Sequence, residues 1–119
     1  MSAEHSVDPE DVRVAAKVIL HAGNARALVC GAFQDAEKGD VEAAGAKLGR
    51  ACEEISAAHS TQTNLIQAEA RGESVPLSLL FTHAQDTLMA AISEANMARQ
   101  LLGLYTRLHA LEKQAGRRQ

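Results

Sequence analysis

The chain has few of the residues that mark secreted, membrane-spanning or nucleic-acid-binding proteins. Its 119 residues include two Cys, two Pro, no Trp and 3% aromatic residues. No apolar run approaches the ~20 residues that cross a bilayer, and the polar start lacks the basic and apolar regions of a signal peptide. Twelve Lys and Arg against fifteen Asp and Glu give a net charge of -3, too little to attract nucleic acid or an anionic membrane. We therefore expect a cytoplasmic protein with no nucleic-acid partner and no membrane insertion.

The two cysteines and the missing motifs exclude several classes of site. Cys30 and Cys52 have neither CxxC spacing nor a second pair, so we expect no zinc site and no disulfide framework. Both thiols are predicted to pack as small buried groups. HExxH, P-loop and GxGxxG patterns are absent, which removes the common metalloprotease and nucleotide-binding classes.

Length and composition predict one domain that favours oligomerisation. Residues 1–119 are enough for a single core but too few for two, and we expect residues 1–8 and 115–119 to be frayed. The hydrophobic fraction is 46% with few aromatics, so Ala and Leu must supply most of the core. Each small side chain buries little area, so a lone bundle of this composition would be only marginally stable.

Capping residues and glycines divide the chain into helices. Asp8 before Pro9 has the form of a helix start. Gly39 ends this first helix and Asp40 can cap the second.

The second helix is predicted over about 41–70, with Gly72 ending it. Pro76 suits the first position of a third helix, which continues to about 114. Short connections between long helices predict an all-α fold, an antiparallel up-down-up bundle of three helices, and no strand pattern competes with it.

Apolar residues recur at steps of three and four along each helix. The predicted rows are Val12, Ala15, Ala16, Ile19, Ala22, Gly23, Ala27, Cys30 and Phe33 in helix one, with Arg26 as a polar intruder, and Ala44, Leu48, Ala51, Cys52, Ile55, Ala58, Leu65 and Ile66 in helix two. Helix three carries two rows: a core row of Ala84, Leu88, Ala91, Ala95, Ala98, Leu102 and Tyr105, and a seam row of Ala90, Ser93, Met97, Leu101, Leu104, Leu108 and Leu111. One row suffices for packing within the chain. The seam row predicts contact with another subunit through a coiled-coil-like seam.

His83 and Asp86 stand one helical turn apart inside these apolar rows. An imidazole can act as nucleophile, base or ligand, although a lone histidine is more often a satisfied or solvent-exposed residue. Asp86 is either an ordinary surface acid or, since it extends the seam row by one turn, an acid that symmetry gathers at an oligomer axis. Such a cluster requires protons or a metal ion. Gln85 is either a surface amide or a hydrogen-bond donor to a bound phosphoryl oxygen.

Other polar residues are weaker candidates. His59 and Gln62 lie one turn apart on helix two and could face helix three near His83. His5, His21 and His109 have no partner at ligand spacing, so we expect these three to be solvated.

Several blocks of the sequence together resemble the lactose/cellobiose (N,N'-diacetylchitobiose) family of enzyme IIA proteins of the bacterial sugar phosphotransferase system. The blocks are His21-Ala-Gly-Asn-Ala-Arg26, Lys38-Gly-Asp40, Ala58-His59 with Gln62 to Gln67 and Glu69, and Leu79 to Met89, whose His-Ala-Gln-Asp core at 83–86 is the most specific. The resemblance covers nearly the whole chain.

The resemblance implies a phosphotransferase component in which His83 accepts a phosphoryl group from phospho-HPr and passes it to a cysteine of the IIB component. It also implies a homotrimer in which Asp86 from each chain meets a divalent metal ion, such as Mg²⁺, at the threefold axis. The link to the membrane IIC transporter is indirect. Because the sugar does not touch this subunit, lactose, cellobiose and chitobiose all remain open.

One position departs from the family. A second histidine often follows the aspartate there, whereas this chain has Thr87, so an auxiliary role of a neighbouring ring is not carried over. Two alternative hypotheses also stand: a non-catalytic trimeric adaptor or metal-binding scaffold, and a regulatory paralogue that feeds no transporter. Phosphoryl labelling separates the scaffold from the carrier.

Overall fold

Three helices account for nearly all of the residues that the structure describes. The computed structural model describes residues 8–75 and 78–117, and its helices are α1 (Pro9–Glu37), α2 (Val41–Ala70) and α3 (Leu79–Arg117). The described residues contain no strand, so the predicted all-α, up-down-up arrangement is confirmed for one chain. None of the described helices combines the length and apolar character needed to span a bilayer.

The predicted caps of the first two helices are present. The Asp8 carboxylate accepts a hydrogen bond of 2.9 Å from the Glu10 amide, and the Asp40 carboxylate accepts one of 3.0 Å from the Ala43 amide. These bonds satisfy amides that have no partner within the helix. Gly39, with φ +91°, follows the end of α1, and this left-handed conformation is open to glycine at little cost.

The third helix differs from its prediction at both ends. Pro76, its predicted first residue, lies outside the described residues, and α3 begins at Leu79. Ser78 acts as its cap, since the Ser78 hydroxyl oxygen accepts a hydrogen bond of 3.0 Å from the Phe81 amide. The helix continues to Arg117, so residues 115–117, predicted to be frayed, are helical.

The core consists mostly of alanine. Twelve of the seventeen buried apolar residues are Ala, and the other five are Val18, Val29, Leu48, Phe81 and Leu88. Leu88 is the largest fully buried side chain. Such small side chains allow the helices to approach closely while burying little area per residue. Helix α1 packs against both neighbours, whereas α2 and α3 contact each other least.

The core row of α3 is confirmed, but the row predicted for α1 was largely wrong. The row from Ala84 to Ala98 is buried, with Leu102 and Tyr105 packed against it. The buried residues of α1 are Ala15, Val18, Ala22, Ala25, Val29, Ala32 and Ala36, which share two positions with the predicted row. Two further members of that row, Ile19 and Phe33, are partly buried and pack against the core. Cys30 is exposed and Cys52 is half-buried, so the prediction of two buried thiols was also wrong.

The seam row of α3 has no covering partner within the described chain. Met97, Leu104, Leu108 and Leu111 expose 61%, 58%, 49% and 62% of their surface. Beyond His109, which contacts the end of α1, the helix continues as a free extension over residues 110–117.

Candidate functional site

His83 lies in the second turn of α3 and is exposed. Side chains on a helix lean toward its N-terminus, so the imidazole leans toward the end capped by Ser78. Among the described residues, no hydrogen bond involves the ring of His83, whereas the backbone carbonyl of His83 accepts one of 2.9 Å from the Thr87 hydroxyl. The ring is therefore free to react from the surface of the chain.

Exposed apolar side chains lie near this end of the helix. Leu79, Leu80 and Met89 are exposed, at 87%, 37% and 52%, whereas Phe81 is buried in the core. Leu79 and Leu80, four and three positions before His83, offer an apolar surface beside the imidazole. Met89 faces α2 instead.

Asp86 is exposed, one turn beyond His83 and in line with the seam row. No three His, Cys, Asp or Glu side chains within residues 8–75 and 78–117 are grouped as a metal site. One chain therefore offers a single carboxylate at this position. Three symmetry-related carboxylates would give the hard oxygen donors that Mg²⁺ prefers, so the residue fits a shared site but not a site within one chain.

An ion pair connects the His83 side of α3 to α1. Glu94, eleven positions after His83, lies within about 20° of it around the helix. The guanidinium of Arg26 donates two hydrogen bonds to the Glu94 carboxylate, at 3.0 and 2.9 Å. This hydrogen bonding, together with the charge of Glu94, raises the pKa of Arg26. The predicted polar intruder of helix one is thus the residue that connects the helices at this edge.

The amide candidates lie on the other side of α3. The Gln62 amide lies 3.9 Å from the Met89 sulfur, which places Gln62 between α2 and α3. Gln85 is one turn before Met89 and about 200° around the helix from His83. Within one chain, the structure therefore separates Gln62 and Gln85 from His83.

His59 is exposed on α2, one turn before Gln62. Since α2 runs antiparallel to α3, this position lies further from the His83 end of the bundle than the Gln62–Met89 contact. No hydrogen bond within the described ranges connects His59 to His83. The one-chain structure gives His59 no contact with the candidate site.

Two histidines expected to be solvated have partners instead. His21 Nδ1 lies 2.6 Å from Glu54 Oε2, and this hydrogen bond lowers the pKa of the Glu54 carboxyl below its usual range. His109 Nε2 lies 2.8 Å from the Ala36 carbonyl oxygen, where it caps the end of α1. Glu54 and Ala36 are distant in sequence, so spacing along the chain gave no signal for these two contacts. Spacing could have found a third, because Glu112 follows His109 by one turn and its carboxylate lies 3.5 Å from His109 Nδ1. His5 lies outside the described residues.

Comparison with known proteins identifies similar chains. A family model described as "PTS system, Lactose/Cellobiose specific IIA subunit" matches residues 13–106. The chain is 46% identical, over 92 residues, to the lichenan-specific phosphotransferase enzyme IIA component of Bacillus subtilis (strain 168), and the alignment covers 77% of this chain and 84% of that protein.

Solved structures are similar over most of the fold. The crystal structure of the PTS cellobiose-specific enzyme IIA from Bacillus anthracis superposes with a TM-score of 0.82 at 39% identity, covering 87% of this chain and 95% of that chain. A solution structure of the IIA(chitobiose)–HPr complex of Escherichia coli gives a TM-score of 0.71 at 30% identity, covering 87% and 99%.

Proposed function

The chain belongs to the lactose/cellobiose-specific IIA family of the phosphotransferase system, and we propose that it carries a phosphoryl group on His83 during uptake and phosphorylation of a β-disaccharide. The observation that carries this proposal is the exposed imidazole of His83, unbonded to other described residues, within the part of the chain that matches the family. The donor is phospho-HPr and the acceptor is a cysteine of the IIB component. Through IIB, the protein is linked indirectly to the IIC transporter.

HPr as the donor is supported by a structural neighbour, the IIA(chitobiose) protein in complex with HPr. The exposed apolar side chains of Leu79 and Leu80 provide a surface for such a partner beside the histidine. A relay must release one partner before it binds the next, so a shallow surface suits it better than a closed pocket. The same surface serves the IIB component in turn.

In the first step, a neutral nitrogen of the His83 imidazole attacks the phosphorus of phospho-HPr in line. The new N–P bond forms as the N–P bond to the histidine of HPr breaks, and that histidine keeps the electron pair. In the second step, the thiolate of IIB attacks the same phosphorus and His83 leaves as the neutral imidazole. Catalysis of both steps rests on positioning of the reacting groups.

The position of His83 in α3 suits an anionic adduct. Phosphorylation adds nearly two negative charges. Because the ring leans toward the N-terminus of the helix, the adduct lies near the positive end of the helix dipole, although this effect weakens beyond the first turn. Asp86, one turn away, opposes the added charge.

We also propose that three chains assemble through the seam row and that Asp86 from each binds a divalent cation at the axis. The support is the exposed apolar row from Met97 to Leu111 and the single carboxylate in line with it. Bound there, the cation offsets the repulsion between the three carboxylates and the phosphorylated histidines.

Assembly would also bring the side-chain amides of Gln62 and Gln85 close to a histidine of another subunit. In a threefold arrangement around the seam row, the α2 side of one subunit adjoins the α1 side of the next. We propose that Gln85, Gln62 and His59 approach His83 of a neighbouring subunit and donate hydrogen bonds to the phosphoryl oxygens.

Labelling tests the carrier function. Incubation with phosphoenolpyruvate, enzyme I and HPr should give one acid-labile phosphate per chain, and His83→Ala should abolish it. His109→Ala is the matched control, since it removes another imidazole of α3 that lies about seven turns from His83, and it should retain full stoichiometry. Undiminished labelling of His83→Ala would refute the carrier assignment, and no labelling of the wild-type protein would favour the scaffold hypothesis.

A further inference from the structure

Thr87 makes a specific contact with the backbone of His83. It follows His83 by four positions and shares its side of α3. Its hydroxyl donates a hydrogen bond of 2.9 Å to the His83 carbonyl oxygen, and its side chain is half-buried whereas His83 is exposed. In a regular helix this carbonyl oxygen also accepts a hydrogen bond from the Thr87 amide, so it accepts two hydrogen bonds from one residue.

The hydrogen bond from the Thr87 hydroxyl to the His83 carbonyl, here called the back bond, fixes the positions of the Thr87 hydroxyl and methyl groups. Threonine in a helix divides between two χ1 rotamers, and a hydrogen bond to the carbonyl four residues earlier selects one of them. Because helical side chains lean toward the N-terminus, the methyl and hydroxyl of Thr87 lie over the turn that carries His83.

The same bond limits the direct chemistry of Thr87. A hydroxyl has one hydrogen to donate, and here that hydrogen is directed at the His83 carbonyl. Thr87 therefore offers no donor to a phosphoryl group on the ring while the bond persists. Its influence on the reaction acts through the position of His83.

We propose that Thr87 is a positioning residue for the phosphoryl carrier: its hydroxyl fixes the peptide that follows His83 and thereby holds the imidazole in the orientation that meets an incoming phosphorus in line. The inference rests on the proposed carrier function. A loss of this restraint lowers the rate of the transfer step and leaves partner binding intact, because the Thr87 hydroxyl is bonded within the helix and offers no hydrogen to a partner.

The chain provides a matched control for the back bond. Thr106, also in α3, donates its hydroxyl to the Leu102 carbonyl oxygen at 2.8 Å, nineteen residues further along the helix. Thr106→Val removes the same kind of hydrogen bond with the same change of shape. It reports the general effect of a lost back bond on the helix.

The test compares phosphoryl transfer from HPr, phosphorylated by enzyme I and phosphoenolpyruvate, to the full-length Thr87→Val, Thr87→Ser and Thr106→Val proteins. We expect Thr87→Val to lower the maximal single-turnover rate constant of transfer by roughly 3- to 10-fold, because misplaced reacting groups slow the chemical step. The concentration of phospho-HPr that gives half of that rate should not change. Thr87→Ser keeps the hydroxyl and should recover most of the rate. Thr106→Val should match the wild-type protein.

Three outcomes overturn the inference alone. The first two are a Thr87→Val protein that transfers as fast as Thr106→Val, and a Thr87→Ser protein as slow as Thr87→Val. The third is an unchanged maximal rate constant that requires a higher concentration of phospho-HPr, because that result would place Thr87 in partner binding. If the wild-type protein accepts no phosphate, the carrier function fails and this inference fails with it.

Discussion

His21 on α1 and Glu54 on α2 form a short pair, with 2.6 Å between Nδ1 and Oε2, on a part of the bundle separate from the candidate site. The hydrogen bond with His21 is the largest cause of the lowered pKa of Glu54. The pair connects the two helices that contact each other most, so its protonation state should affect the stability of the fold.

The pH dependence of stability has a definite sign. A carboxyl group whose pKa is lower in the folded than in the unfolded chain contributes stability above its unfolded pKa, here an ordinary value of 4.5. That contribution is lost as pH falls through the lowered folded value. The free energy of unfolding, measured in urea, should therefore fall less between about pH 5 and about pH 3 in Glu54→Gln than in the wild-type protein. Equal slopes for both proteins would show that the pair contributes no such linkage.

Leu104 tests the proposed assembly. A glutamate at this position would place three charges along the apolar seam, where each buried Leu contributes roughly 1.5–3 kcal/mol. We expect sedimentation equilibrium to give a trimer for the wild-type protein and a monomer for Leu104→Glu. Leu20→Glu is the control, because Leu20 is equally exposed, at 59% against 58%, but lies on α1. A trimeric Leu104→Glu protein would contradict the seam.

Asp86 tests the proposed cation site. Asp86→Leu should reduce bound Mg²⁺ from about one ion per trimer to none, as measured by elemental analysis after gel filtration, while the trimer persists through apolar packing. In the presence of a chelator, the wild-type trimer should melt at a lower temperature than Asp86→Leu, since its carboxylates then repel one another. Glu53→Leu removes an exposed carboxylate from α2 and should leave the metal content unchanged. Retention of the ion by Asp86→Leu would refute the site.

Local signals in the sequence were enough to place most of the helix ends. Asp8, Asp40, Gly39 and Gly72 act on their own neighbours through backbone hydrogen bonds and positive φ, so their effects can be predicted without the fold. The buried row of α3 was equally clear because large residues such as Leu88 mark it. The three-helix arrangement followed from these elements.

The buried face of α1 could not be predicted in the same way. Alanine occurs all around this helix, so periodicity alone does not distinguish Ala16 and Ala27, which are exposed, from Ala25 and Ala32, which are buried. The choice depends on where α2 and α3 pack. Cys30 was assigned to the wrong face for the same reason.

In the candidate site, too, some features could be predicted from the sequence and others could not. His83 and Asp86 are both exposed, and their chemical roles stay predictions. The Arg26–Glu94 ion pair joins two helices, so it could not be predicted from the spacing of residues along one helix. The Thr87 back bond was available to local reasoning, since a threonine four residues after any residue in a helix can donate to its carbonyl.

The alanine core also determines how the sequence can diverge. A buried Ala has almost no side chain to shorten, so the substitutions open to it are mainly enlargements, which in a packed interior cost about 1–3 kcal/mol each. Twelve such positions leave the interior little room for neutral drift. Differences between this chain and its relatives should therefore accumulate on the outward faces of the helices. Adaptation to particular partners should be visible when those faces are compared.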